Sequence, residues 1–389
     1  MPKTNFIVGT TDGNYADIGD LLVPRSFFSE GGMWLWGQGG AGQRGDNTST
    51  SIRSSPVQTV AGGTNWKNAS SGFLHSAGIK TDGTLWTWGY NAHGSLGDNT
   101  VTSKSSPVQT VAFGTNWKQV GCGTEHTAAI KSDGTLWICG YNLYGQIGDN
   151  STINRSSPVQ TVSSTYNWKQ VNCGAYHTAA IKTDGTLWSW GYNIYGVLGD
   201  SSTTNRSSPV QTMSGDTTWK QVSCGDYFTV AIKTDGTLWG WGFNGNGQLG
   251  DSTTTNYSSP VQTITVTSDW KLANAGTSHT GAIKTDGTLW LWGANASGQL
   301  GTNNLTGTSS PIQTITYANN WKDVRCGNAL TVALKTDGTL WNWGSNNLGQ
   351  LGDSTTAAKS SPIQTIAGGS NWRSIFAGNM QTIGLKDDM

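Results

Sequence analysis

Apolar and polar residues alternate over short stretches of this chain, and polar segments rich in glycine, serine, threonine and asparagine separate them. Alternation with a period of two predicts half-buried strands, and no window of about eleven residues carries a helical period. One unit shows the arrangement. Trp117–Cys122 (WKQVGC) reads as a strand, residues 127–131 as a second and residues 135–141 (TLWICGY) as a third. Ser132, Asp133 and Gly134 lie between the second and third, and Asp-Gly between apolar runs is a strong hairpin signal. A polar connection over 142–157 leads to a fourth strand at 158–162. Proline at the start of that strand predicts an outer edge, where a missing N–H costs little.

The unit recurs. Trp66, Trp117, Trp168, Trp219, Trp270, Trp321 and Trp372 are spaced 51 residues apart, as are Pro56, Pro107, Pro158, Pro209, Pro260, Pro311 and Pro362. The second tryptophan of the WxWG string recurs at Trp36, Trp88, Trp190, Trp241, Trp292 and Trp343, with Cys139 in the remaining place, so every one of the 20 tryptophans is a repeat position that reads as packing. Four-stranded units at this spacing predict a β-propeller. The chain ends where the next hairpin strand is due, and residues 33–37 supply that strand. Residues 33–37 and 56–60 therefore complete a blade begun by residues 372–377 and 381–386. The expected architecture is all-β, a closed seven-bladed β-propeller over 31–389 with one composite blade latched by both chain ends.

Composition narrows the function. Formal net charge is zero and 12% of residues are charged, which argues against a nucleic-acid partner needing a basic excess and against attraction to an anionic membrane. No apolar run reaches the roughly 18 residues that span a bilayer. The first residues lack the features of a secretion signal, so the expectation is a soluble chain of the cytoplasm or of a virion.

The strings CGxxHTxAIKTDGTLWxWGxNxxGQLGD resemble the regulator of chromosome condensation repeat family, over residues 31–389. The resemblance implies a seven-bladed propeller with circular closure, and with it a platform whose members do different things. For the family's plant UV-B photoreceptor it implies Trp-Arg pairs after the first strand of some blades. The pairs here include Phe73-Leu74, Thr124-Glu125, Ala175-Tyr176 and Asp226-Tyr227, and none is Trp-Arg. For its nucleotide exchange factor it implies an inserted wedge between strands, which a constant 51-residue period does not accommodate. The expected type is bacterial or from a bacteriophage.

Candidate chemistry is sparse. His75, His126, His177 and His279 share one repeat position with Phe228, Leu330 and Gln381, which reads as a structural hydrogen bond and not as a metal ring. His93 stands alone in a turn and reads as exposed. Cys122, Cys173, Cys224 and Cys326 share another position with serine and alanine, read as small and inert; no CxxC pair exists. The Asp-Gly aspartates cap turns, and those opening the long connections, such as Asp149 and Asp200, lack the spaced ligands of a calcium loop. No catalytic residue, metal or cofactor is expected.

Variation between copies is confined to the pairs named above, to the NxxG turns and to the leader. Tyr144, Tyr176, Tyr195 and Tyr227, with Asp226, concentrate in the third to fifth repeats and read as a recognition surface on loops at the rim of the disc. The expected function is a non-catalytic binding scaffold contacting a protein or glycan, in its narrower form a phage adhesin or decoration protein. The alternative is a guanine-nucleotide exchange factor for a small GTPase. Residues 1–30 lie outside the repeat and read as a leader that packs on the propeller or tethers it to a larger assembly.

Overall fold

The computed structural model describes residues 15–18, 21–24, 32–49, 52–60, 65–112, 114–162, 166–213, 215–264, 267–366 and 368–387. They form seven four-stranded antiparallel sheets and one separate two-stranded hairpin, Tyr15–Ile18 with Leu21–Pro24. The rest of the expected leader lies outside the described residues. No helix among the described residues is long and apolar enough to cross a membrane.

Each four-stranded sheet is a blade, and in six of the seven strand order follows chain order. In the unit read above the strands are Trp117–Cys122, His126–Lys131, Leu136–Gly140 and Arg155–Gln160, from the central channel outwards. The fourth strand starts three residues earlier than the sequence predicts. Gly140 pairs with Arg155 across a bulge, which draws the Arg155-Ser156-Ser157 segment onto the third strand. Proline therefore sits inside the strand, tolerated because this strand is the outer edge.

The seventh sheet combines Trp372–Ala377, Gln381–Lys386, Gly32–Gln38 and Ile52–Gln58. Gly32–Gln38 runs antiparallel to Gln381–Lys386 with Leu35 opposite Ile383. The predicted latch is the observed one.

Apolar side chains are buried between neighbouring blades. One cluster joins Ile138 and Ile147 of one blade to Trp168, Val171 and Trp190 of the next. Hydrogen bonds cross the same boundaries: Trp190 Nε1 donates to the Gln146 carbonyl at 2.9 Å, and the Thr178 hydroxyl donates to that same carbonyl at 2.8 Å. The shared histidine position extends this relay. His75, His126, His177 and His279 place Nε2 2.8–3.1 Å from a threonine hydroxyl of the following blade.

The tryptophans divide into two kinds. Those opening the inner strands and those closing WxWG are buried, whereas the first tryptophan of each WxWG string is half-exposed. The half-exposed ring and the inner-strand ring clasp a lysine ammonium: Lys182 Nζ lies 5.0 Å from the Trp168 ring centre and 4.2 Å from that of Trp188. Lys182 is 6% exposed, so its attraction to two ring faces is weakly screened. Lys182→Met should lower unfolding free energy by about 2 kcal/mol, read from urea denaturation; an unchanged midpoint would show that the clasp adds nothing.

Candidate functional site

The connections between inner and second strands, and between third and outer strands, share one face of the disc; the Asp-Gly turns occupy the other. Two sets of loops thus converge around the mouth of the channel. The inner set is chained from blade to blade by its backbone, with Thr124 N donating to Ala175 O at 3.3 Å and Ala175 N to Asp226 O at 3.2 Å.

Asparagine organises the outer set. Asn142 Nδ2 donates to Asp149 Oδ1, Ser151 O and Ile153 O at 3.1–3.3 Å, while its Oδ1 accepts the Ile147 N–H at 2.9 Å. Gly145 closes the turn at φ +85, and a Cβ there would lie 2.4 Å from Ser207 Cα of the next blade. These fixed points hold the flanking side chains, Tyr141 and Tyr144, at the surface.

The candidates Tyr144, Tyr176, Tyr195 and Tyr227 are all half-buried on this face and lie within one continuous group of rings. Tyr144 meets Tyr176 at 5.5 Å between ring centres, Tyr176 meets Tyr227 at 6.4 Å, and Tyr227 meets Tyr195 at 5.7 Å. Interplanar angles of 41–70° make these contacts tilted or edge-to-face, a geometry that adds roughly 0.5–1.5 kcal/mol per pair to burial. Burial and the neighbouring phenols and Asp226 push the Tyr227 hydroxyl up to about 12, so it stays protonated and able to donate.

The candidate list missed three rings that join these four. Tyr141 bridges Tyr144 and Tyr176, Tyr192 touches Tyr144, Tyr176, Tyr195 and Tyr227, and Phe243 ends the row 5.1 Å from Tyr195. Tyr192 and Phe243 follow a Trp-Gly dipeptide, and Tyr141 follows Cys139-Gly140 at the same repeat position. That position reads Tyr90, Tyr141, Tyr192, Phe243 in consecutive repeats and then Ala294, Ser345 and Gln38, a signal present in the repeat alignment. His93 also differs from expectation. It is half-buried, pairs through Nδ1 with a Glu125 carboxylate oxygen, and lies against Tyr141 at 4.9 Å.

Asp226 stands at the channel mouth, where burial pushes its carboxyl up to about 6 and a Thr277 hydrogen bond only partly opposes this. Below it the channel encloses a cavity of about 100 Å³. Its polar wall is largely committed to neighbouring blades: Cys224 N donates to Asn172 Oδ1 at 2.7 Å, Ala275 N to Ser223 Oγ at 3.0 Å, and Cys326 N to Asn274 Oδ1 at 2.7 Å. Burial pushes the Cys122, Cys224 and Cys326 thiols up to about 12, far from a nucleophilic thiolate.

The loop carboxylates are likewise engaged. Burial raises the Asp149 carboxyl, but hydrogen bonds from Ser151 and Arg155 more than reverse this and hold it below its ordinary range. Among the described residues no group of three or more His, Cys, Asp or Glu side chains could hold a metal ion. The arrangement offers a continuous aromatic surface on fixed loops.

Comparison with known proteins agrees with the architecture. The RCC1-like domain matches residues 26–272 and 177–389. The ultraviolet-B receptor UVR8 of Arabidopsis thaliana is 31% identical over 325 residues, which cover 82% of this chain and 73% of the receptor. The probable E3 ubiquitin-protein ligase HERC6 of Homo sapiens is 31% identical over 63% of this chain, but the match spans only 25% of that ligase. Among solved structures, human WBSCR16 superposes with a TM-score of 0.82 at 20% identity, covering 92% of this chain and 99% of its own. Prp20p of Saccharomyces cerevisiae does so with a TM-score of 0.82 at 17% identity, covering 93% and 92%. The chain belongs to the RCC1-like domain family.

Proposed function

We propose that this chain is a non-catalytic binding scaffold that docks a protein partner on the aromatic half of its loop-bearing face. One observation carries the reading: Tyr and Phe rings run unbroken across three consecutive blades, on a frame whose equivalent positions elsewhere include Ser278, Ala294, Ser297 and Ala329. Tyrosine supplies large contact area with few rotatable bonds, which suits a rigid docking surface. A protein fits better than a glycan, because tilted rings form a ridged surface and not the flat face on which a sugar ring stacks. The narrower expectation of a phage origin and virion display gains no support from the relatives named above, which come from plant, human and yeast.

A photo-reactive amino acid in place of Tyr195 should give a cross-linked protein product in extracts of the source cells, and one in place of Ser297 should not. Equal yields at the two sites would reject the assignment of the face.

A further inference from the structure

Charge on the aromatic half of the face is one-sided. The basic side chains of the long loops are turned back onto loop aspartates, as in Arg44–Asp46 at 3.0 Å, Arg155–Asp149 at 2.6 Å and Arg206–Asp200 at 3.1 Å. In the next blade Tyr257 stands where Arg206 stands, so Asp251 forms no ion pair among the described residues. Asp226 forms none either. Glu125, its side chain 25% exposed, pairs with His93 through one carboxylate oxygen and lies close enough to Tyr141 and Tyr176 to raise their hydroxyls. Lys118, Lys169 and Lys220 are exposed but follow the inner-strand tryptophans, at the opposite face. Arg325, the basic residue in the channel wall, is turned to Asp323 and lies over Phe376, two blades from Asp226.

The geometry adds a second element. Glu125, Tyr176 and Tyr227 occupy one repeat position in three successive blades, and Asp226 precedes the last, so two carboxylates flank a tyrosine pair. Ring faces beside carboxylates attract ammonium and guanidinium groups, and partial desolvation strengthens the attraction. We infer that the partner element seated on this face is a cationic protein segment, its lysine or arginine heads lying over the Tyr176 and Tyr227 rings between Glu125 and Asp226. This rests on the docking reading above and adds the chemistry of the partner.

Two variants separate the contributions, each using residue types that other repeats carry at or near the same places. E125Q/D226N removes charge and keeps the rings; Y176S/Y227S removes rings and keeps the charge. The probes are fluorescent octa-arginine, octa-glutamate and a neutral chito-oligosaccharide, titrated against the full chain at low and physiological salt. Octa-arginine should bind the wild type, more weakly as salt rises, and each variant should lose at least tenfold in affinity; octa-glutamate should not bind. Octa-arginine failing to bind the wild type, or binding both variants unchanged, overturns the inference. Loss in the ring variant alone overturns the cationic partner while leaving the face a docking surface. Capture of the oligosaccharide in place of octa-arginine overturns it in favour of a glycan.

Discussion

Lowering the pH from 7 to 4.5 should destabilise this propeller steeply, with the urea midpoint falling throughout that interval and nearly constant between pH 7 and about 8. Four buried imidazoles are the cause. Burial holds His75 down to about 4 and His126, His177 and His279 to about 3, against 6.5 for an unperturbed ring. Below pH 6.5 the unfolded chain takes up protons that the folded chain refuses, so stability is lost as pH falls from there towards the folded-state values. Each ring contributes about 1.4 kcal/mol per pH unit well inside that window, and the four together on the order of 5 kcal/mol per unit. Asp226 and Asp323, raised by burial, act in the opposite direction but are two groups against four. The turn aspartates, held low by their threonine hydrogen bonds, matter only at more acidic pH. Replacing the four histidines with glutamine, the residue found at position 381, should flatten the profile. An equally steep profile in that variant would place the acid sensitivity elsewhere.

Ending the chain at Met380 should abolish cooperative folding. The truncation removes Gln381–Lys386, the strand lying between Trp372–Ala377 and Gly32–Gln38. Ile383 and Leu385 are fully buried with Met33 and Leu35, and this group also packs on Trp66 and Trp88 of the next blade. Gln381 Nε2 donates to Ser76 Oγ at 2.6 Å across the same boundary. Each lost large apolar side chain costs about 2–5 kcal/mol, and two sheet edges are exposed as well. We expect no sharp thermal transition and a soluble yield reduced to a small fraction. A permutant tests the same seam from the other side. Joining Lys386 to Met33 through Thr-Asp-Gly-Thr, with new ends opened at Tyr317, recreates the hairpin of the other blades and should fold. A truncated chain with a normal transition, or a permutant without one, would show that closure is not what holds the ring.

Architecture was readable because it is written seven times: Trp117 and its equivalents fix the period, and Asp133-Gly134 and its equivalents fix the register of each hairpin. The outer strand was misplaced by three residues because Pro158 looked like a boundary. Backbone pairing of Gly140 with Arg155 overrode that local cue. The site was only half legible. Tyr144, Tyr176, Tyr195 and Tyr227 departed visibly from the repeat, whereas Tyr141 and Tyr192 passed as frame because they directly follow the glycine that ends the third strand. Their contacts with Tyr176 join different loops and blades, a proximity that spacing alone does not encode. His93 looked solitary for the same reason, since Glu125 lies 32 positions away.

The sevenfold frame also bears on how a partner finds its orientation. A disc of equivalent blades, stripped of its differing loop side chains, would present seven nearly interchangeable docking azimuths, each about one-seventh of a turn from the next. The frame holds a partner at a defined height and carries no compass. Direction is supplied by the Tyr and Phe side chains of three adjacent blades, so moving that set round by one period should rotate the bound partner while leaving its contacts intact.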